Sequence, residues 1–154
     1  MNIIKINLGC GSDVREGWFN FDMYPVNKKV KKINLNNMPL PFSDCYANYI
    51  LLSHVFEHLT LNRLDFLKEM ERILKPEGII EIRVPYSHPN VDHTIWFIPR
   101  TYFNNIEKYC NFKKIYFKHS GGDKYSNLFR VFPFMEKLFP LMASGELVWK
   151  LKKK

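Results

Sequence analysis

The chain opens with a mostly apolar, β-branched segment, Ile3 to Leu8, that stops abruptly at a turn cluster, Gly9 to Asp13. β-Branched apolar residues favour strands, whereas Gly, Ser and Asp favour turns. The segment is therefore predicted to form a buried strand. The glycines after it allow the backbone to turn tightly and to approach a ligand closely.

Strands and helices alternate along the rest of the chain. The predicted strands lie at 18–22, 30–35, 46–52, 79–84, 112–118 and 146–152, and the first helix lies at 61–75. Pro99 opens a second predicted helix, with one side made by Tyr102, Phe103, Ile106, Tyr109 and Cys110. This order predicts an α/β layered fold with a largely parallel sheet. Ligands of such sheets bind beyond the carboxyl ends of the strands, at 9–13, 22–24, 34–36, 53–58 and 85–93 here.

Two features at these strand ends point to a nucleoside ligand. Gly9 and Gly11 follow the first strand, and Asp22 ends the second, where its carboxylate could accept hydrogen bonds from both ribose hydroxyls. A dinucleotide fingerprint would require a further glycine at the position of Val14, and the chain contains no phosphate-binding P-loop. The pattern fits a nucleoside without a pyrophosphate better than NAD or ATP. A tight turn beside a solvated Asp22 is the alternative interpretation.

Five ordered motifs resemble the class I S-adenosylmethionine-dependent methyltransferases, in particular a compact branch that starts L-G-C-G…G-W-x-N-x-D. They are Ile6–Gly11, Gly17–Asp22, Leu40–Asp44, Ser53–Leu59 and Leu74–Gly78. The resemblance covers about residues 3–100 and implies a Rossmann-like three-layer sandwich. Its sheet would be mostly parallel and seven-stranded, with an antiparallel late strand, in a minimal version that lacks the N-terminal helices.

The resemblance also implies which residues hold S-adenosyl-L-methionine. By position, the cofactor-binding residues would be Gly9, Cys10, Gly11, Asp22, Met23, Asn34, Leu35, Asn36, Ser53 and His54. The glycine turn and Ser53–His54 would border the methionine end, and Asp22 would hold the ribose. Many relatives have Asp where Asn34 aligns. Only Ser12–Gly17 separates the first two strands, so the cleft would be more open than usual or closed by a partner subunit.

Histidines are the candidate catalytic groups, because an acceptor hydroxyl needs a base that titrates near neutral pH. His54, His58 and His93 are the predicted catalytic residues. His54, Glu57 and His58 would share one face if their segment were helical, and with His93 they could hold a transition metal. No metal is predicted, however, because Glu57-His58 also occurs in relatives without metal, where it anchors the start of the helix.

An aromatic segment, Asn127–Met142, falls within residues 120–145, where the resemblance places substrate-specific insertions. A helix that covers the sheet or forms a dimer contact is its simplest interpretation. An acceptor-binding lid or an interfacial patch for a lipid-linked substrate is the alternative. Trp96, Phe97 and Tyr102 could stack on a ring-bearing acceptor or pack the last helix on the sheet.

Length and composition limit the remaining classes. With 154 residues, 46% hydrophobic, the chain is expected to form a single domain over 1–154. It has no predicted transmembrane segment or secretory signal, and Cys10, Cys45 and Cys110 form no CxxC pair, so a cytoplasmic location is expected. The net charge of +8 is clustered partly at 28–32 and 150–154. Such clusters could bind nucleic acid or a membrane surface, or could simply be solvated.

Together these features predict a methyltransferase that transfers a methyl group from S-adenosylmethionine to a small-molecule or glycan-type acceptor, at a hydroxyl. A cofactor-binding subunit without activity of its own and a nucleic-acid or protein methyltransferase are the alternatives. Nucleic acid is favoured only by the charge, since no RNA-binding signature is present. Peripheral membrane contact and a homo-oligomer remain open.

Overall fold

A computed structural model describes residues 3–86, 94, 101–120 and 145–154. Its centre is one seven-stranded sheet in the order β3-β2-β1-β4-β5-β7-β6. The strands are β1 Lys5–Leu8, β2 Phe19–Asp22, β3 Val30–Lys32, β4 Ala47–Ser53, β5 Leu74–Pro85, β6 Phe112–Ser120 and β7 Glu146–Lys153. Strands β1 to β5 are parallel, and β7 runs antiparallel to both β5 and β6. The predicted Rossmann-like, mostly parallel sheet with an antiparallel late strand is confirmed.

One face of the sheet carries the core. Strand register aligns two apolar rows across it, Ile6–Ile50–Ile80–Leu151 and Leu8–Leu52–Ile82–Trp149. Helix α1, Arg63–Ile73, packs on this face through Phe66, Leu67, Met70 and Ile73. The buried apolar side chains supply most of the folding free energy at about 25 cal/mol per Å².

The other face of the sheet is polar. The row that passes through β1, β4, β5, β7 and β6 consists of Asn7, Leu51, Glu81, Lys150 and Tyr116. Glu81 is only 4% exposed and binds Tyr49 Oη, Arg83 and Lys150 Nζ. The described residues place no helix on this face. Its charged side chains suit contact with water, as on the open face of many sheets.

Helix α1 begins and ends close to its predicted limits. Asn62 caps it, because its Oδ1 accepts hydrogen bonds from the N–H groups of Leu64 and Asp65. The helix ends at Ile73, and Leu74 continues directly into β5. Strand β5 is longer than predicted, because it already begins at Leu74, which pairs with Ala47 of β4. The pairing of the two strands shifts in register between Ala47 and Tyr49.

The second predicted helix is wrong over the described residues. Residues 101–110 form turns and a short 3-10 helix, Ile106–Lys108. Phe103, Ile106 and Cys110 are buried, but Tyr109 is 62% exposed, so the predicted single side is split. Aromatic residues and the adjacent Asn104 and Asn105 are poor helix formers, which favours tighter i→i+3 bonding. Pro99 lies outside the described residues.

No helix in the described ranges is long and apolar enough to cross a membrane. A second 3-10 helix, Phe56–His58, directly follows β4 at the carboxyl edge of the sheet. Among the described residues, α1 is the single α-helix, so this edge is shaped mainly by loops.

Candidate functional site

A cavity of about 360 Å³ opens at the carboxyl ends of β1, β2 and β4. This is the edge at which parallel sheets bind their ligands. Its lining residues come from four strand ends: Gly9, Asp22, Met23, Tyr24, Ile33, Asn34, Leu35, Asn36, His54, Val55, His58 and Leu59. Loops that are far apart in the sequence therefore form one pocket.

The turn after β1 is held in a conformation that favours glycine. Gly9 has φ +67°, and the N–H groups of Gly9 and Cys10 both donate to the Phe21 carbonyl of β2. A Cβ on Gly9 would lie 2.4 Å from Val55 Cγ2, so no side chain fits there. A Cβ on Gly11, at φ +49°, would meet nothing within 4 Å. The backbone thus leaves open space beside Gly11.

Asp22 links this turn to the end of β2. Its Oδ2 accepts a hydrogen bond from the Gly11 N–H at 2.7 Å, and its Oδ1 accepts one from the Tyr24 N–H at 2.8 Å. A carboxylate has about four acceptor positions, so each oxygen can accept a further hydrogen bond. Asp22 can therefore bind two neighbouring hydroxyls of a ligand while it holds the turn.

Two asparagines follow β3 on the other side of the cavity. Asn34 Oδ1 accepts from the Asn36 N–H at 3.0 Å, and Asn36 Oδ1 accepts from the Thr60 N–H at 2.9 Å. The Nδ2 groups of both residues donate to none of the described residues and remain available as donors. Ile33 and Leu35 are nearly buried and provide apolar wall. This mixture of apolar wall and amide donors suits a heteroaromatic ring.

His54 lies between two carboxylates at the end of β4. Its Nε2 is 3.0 Å from Glu146 Oε1, and its Nδ1 is 3.7 Å from Glu57 Oε1. Glu57 is only 2% exposed, and neither of its carboxylate oxygens accepts a hydrogen bond from the described residues. Glu57 and then Glu146 raise the pKa of His54 above 6.5, although partial burial opposes them. The two carboxylates therefore make His54 a stronger proton acceptor than an unperturbed imidazole.

The backbone of His54 adopts φ +56°, which is uncommon for a residue with a side chain. His54 is thus not part of a helix with Glu57 and His58, as the sequence interpretation supposed, yet its ring still reaches Glu57. Its N–H donates to the Arg83 carbonyl of β5. Backbone strain of this kind tends to occur where a side chain must be held for function.

Of the predicted cofactor-binding residues, the structure brings seven together in the cavity: Gly9, Asp22, Met23, Asn34, Leu35, Asn36 and His54. The other three, Cys10, Gly11 and Ser53, do not line the cavity. Cys10 is buried within the turn. Of the predicted catalytic residues, His58 lines the cavity, and His93 lies outside the described residues, as do Trp96, Phe97 and the 127–142 segment.

Glu146 was missed by sequence reasoning, whereas Tyr24 lies within the expected strand-end range 22–24 but was not named as a cofactor-binding residue. Glu146 begins β7, which is antiparallel, so its first residue lies at the same edge as the carboxyl ends of the parallel strands. Extending the strand-end rule to the amino end of an antiparallel strand would have found it. Within the described part of the chain, no three His, Cys, Asp or Glu side chains are grouped to hold a metal ion.

Comparison with known families gives this site a likeness to one class of domain. Residues 20–82 match a family model described as a methyltransferase domain. The match covers less than half of the chain and shows a similarity to methyltransferase domains over that range. The matched range contains Asp22, Asn34 and His54, three of the residues that line the cavity. A search of curated protein sequences found no match.

Solved structures share the fold of this chain. An S-adenosylmethionine-dependent methyltransferase from Archaeoglobus fulgidus superposes with a TM-score of 0.69 at 18% identity, covering 98% of this chain and 86% of that one. The cyclase SpnF gives 0.67 at 11% identity, with 99% and 74% covered. A Haloferax volcanii complex containing the Trm112 methyltransferase activator gives 0.61 at 16% identity, with 99% and 85% covered. At these identities the likeness shows the fold.

The donor set of the cavity fits S-adenosylmethionine, the cofactor expected from the resemblance of the sequence motifs. Asp22 offers free acceptor positions, the loop after β3 offers an apolar wall with amide donors, and Gly11 leaves open space along the turn. A nucleoside with a charged side arm needs these three features.

Proposed function

We propose that this chain transfers the methyl group of S-adenosylmethionine to a hydroxyl of a small-molecule or glycan-type acceptor. The observation that carries the proposal is the cavity at the carboxyl edge, with Asp22 bridging the glycine turn and the end of β2. Asp22 would hold the ribose hydroxyls, and Met23, Asn34, Leu35 and Asn36 would border the adenine.

The methionine end of the cofactor would extend along Gly9–Gly11 towards His54. When bound, S-adenosylmethionine supplies a methyl group that is activated by a sulfonium. Transfer is an in-line displacement, so the protein mainly aligns the acceptor and excludes water. The acceptor hydroxyl also has to lose its proton, and a nearby general base would accept it.

His54 is the base in this proposal. Its ring is half-exposed and lines the cavity, and Glu146 Oε1, 3.0 Å from Nε2, occupies a position from which an acceptor hydroxyl could donate instead. The buried Glu57 carboxylate lies on the Nδ1 side and would orient the ring and stabilise the imidazolium that forms. A base oriented by a buried carboxylate is a recurring catalytic arrangement.

The first test is calorimetric titration of the protein with S-adenosylhomocysteine. Asp22→Ala removes a charged hydrogen-bonding group and should weaken binding by about 1.5–3 kcal/mol. Asp13→Ala is a matched control, because Asp13 is an exposed carboxylate of the same turn whose side chain binds only Arg15 among the described residues. No binding by the unmodified protein, or equal losses in both variants, would contradict the proposed cofactor site.

A cofactor-binding subunit without activity of its own is the second candidate. The same fold occurs in a cyclase and in a complex with a methyltransferase activator, so the fold alone does not imply methyl transfer by a single chain. Incorporation of labelled methyl groups from S-adenosylmethionine into hydroxylated glycans and phenols separates the two functions. Binding of S-adenosylhomocysteine without incorporation into any acceptor, including RNA and protein, would favour the subunit. Loss of incorporation in His54→Gln, with binding retained, would support His54 as the base.

A further inference from the structure

The two lysine clusters of the sequence, at 28–32 and 150–154, differ in whether their side chains pair with the rest of the chain. In the C-terminal cluster, Lys150 pairs with Glu81, Lys152 with Glu77 and Lys154 with Glu107. Lys153 Nζ donates to the carbonyls of Glu71 and Leu74, each at 2.8 Å. Each ammonium group of this cluster is therefore paired with another group of the chain.

The cluster at residues 28–32 is not paired in this way. Lys28, Lys29, Lys31 and Lys32 are all exposed, and none forms an ion pair with a residue that the structure describes. They lie on and just before β3, the outermost strand on this side of the sheet. Four exposed lysines without an ion pair to the described residues thus lie within five consecutive positions on one edge of the sheet.

Apolar side chains are exposed immediately beside these lysines. The loop that joins β2 to β3 presents Tyr24 at 75%, Val26 at 56% and Met23 at 43% exposure. Met23 and Tyr24 also line the cavity, so this surface adjoins the cavity entrance. An alternative role for lysines on an edge strand is to prevent pairing with a strand of another chain. That explanation covers Lys31 and Lys32 but not Lys28, Lys29 or the exposed apolar loop.

We propose that residues 23–32, the β3 edge surface, bind an anionic lipid membrane. Basic side chains attract anionic headgroups, and adjacent apolar side chains insert at the interface. A nucleic-acid partner fits less well. The segment contains no arginine for bidentate readout and a single aromatic ring, whereas nucleic-acid surfaces use arginine and several stacking rings. This inference is independent of the proposed methyl transfer.

The test is sedimentation of the full chain with phosphatidylcholine vesicles, with and without phosphatidylglycerol, at about 0.15 M salt. The protein should bind only the anionic vesicles, and more weakly at higher salt. Glutamine at the four cluster lysines should reduce partitioning by about two orders of magnitude. Val26→Ser should reduce it severalfold with no change in charge.

The matched control removes the same charge from elsewhere, by glutamine at four other exposed lysines: Lys68, Lys108, Lys113 and Lys118. This variant should bind vesicles within about threefold of the unmodified protein. Circular dichroism and S-adenosylhomocysteine affinity check that both variants are folded. No preference for anionic vesicles, equal losses in the two quadruple variants, or displacement of vesicles by a single-stranded RNA would overturn the proposal.

Discussion

At Gly9 the backbone dihedral angle and a neighbouring side chain both exclude a Cβ. The residue has φ +67°, and an added Cβ would lie 2.4 Å from Val55 Cγ2. Gly9→Ala should therefore lower the free energy of unfolding by about 2–4 kcal/mol, as the sum of left-handed strain and overpacking. Urea denaturation measures the loss, and S-adenosylhomocysteine affinity should fall with it.

Gly11→Ala is the control for this prediction, because its Cβ would meet nothing within 4 Å although φ is +49°. It should cost only the dihedral strain, about 1–2 kcal/mol. Val55→Ala should recover part of the Gly9→Ala loss by removing the clashing methyl groups. If both glycine variants lost the same stability, contact with Val55 would not be the constraint.

His54 gives the fold a pH dependence of known sign. Glu57 and Glu146 raise its pKa in the folded state above 6.5, so the stabilisation is fully present below that value and is lost as the pH rises through the folded pKa. Because the ring is half-exposed, the effect should stay below about 1 kcal/mol. The difference in unfolding free energy between the unmodified protein and His54→Gln should shrink from about pH 6 to pH 8. A difference that grows would contradict the imidazolium bridge.

The sequence located Asp22 and the glycine turn at strand ends, because they follow strands that the apolar pattern defines. Their roles in binding stay predictions. Glu146 was missed because its place depends on the antiparallel direction of β7, which no local pattern encodes. The positive φ of His54 was also out of reach, because it depends on hydrogen bonding to Arg83 of a neighbouring strand.

At the scale of elements, Arg72 joins α1 to the loop before β4. Its guanidinium donates to the carbonyls of Leu40 and Phe42 and to the carboxylates of Asp44 and Glu69. This fork needs several donors in fixed directions, which lysine does not have. Arg72→Lys should cost about 1–2 kcal/mol and Arg72→Met more, as measured by urea denaturation.

Acid should remove part of the same stabilisation. Arg72 lowers the pKa of Glu69 below 4.5, so this contribution is present above that value and is lost as the pH falls through the folded pKa. In Arg72→Met the loss of stability on acidification should be smaller. Similar acid sensitivity in both proteins would show that Arg72 does not determine the ionisation of Glu69.

All seven strands and α1 were predictable from the sequence, because most of them bury a continuous or periodic apolar pattern; the edge strands β3 and β6 bury little beyond Val30 and Phe112. The turns at 101–110 were not, because their apolar residues have helical spacing but poor helix propensity, and the local bonding decides. The helix predicted over 61–75 ends at Ile73, and residues 75–78 belong to β5. Their inclusion in β5 depends on pairing between Leu74 and Ala47, a tertiary contact.

At the scale of the whole molecule, the two faces of the sheet are stabilised by different interactions. One face buries apolar rows against α1, whereas the other holds Glu81 with partners from three strands, Tyr49 of β4, Arg83 of β5 and Lys150 of β7. Burial and then Glu81 raise the pKa of Tyr49 well above 10, so the phenol remains a donor throughout the neutral range. Glu81 therefore ties the parallel part of the sheet to its antiparallel strand.

Removal of this carboxylate should weaken the sheet as a unit. Glu81→Ala leaves Arg83 and Lys150 without their shared acceptor and, because both cations are about a third exposed, should lower the free energy of unfolding by about 1–2 kcal/mol. Lys152→Ala is the matched control on the same face, because it breaks only the solvent-exposed pair with Glu77 and should cost less than about 0.5 kcal/mol. Denaturation monitored by tryptophan fluorescence compares the two. Equal, small losses would mean that water replaces Glu81 as the partner of both cations, and the polar face would then contribute solubility but no cohesion between the strands.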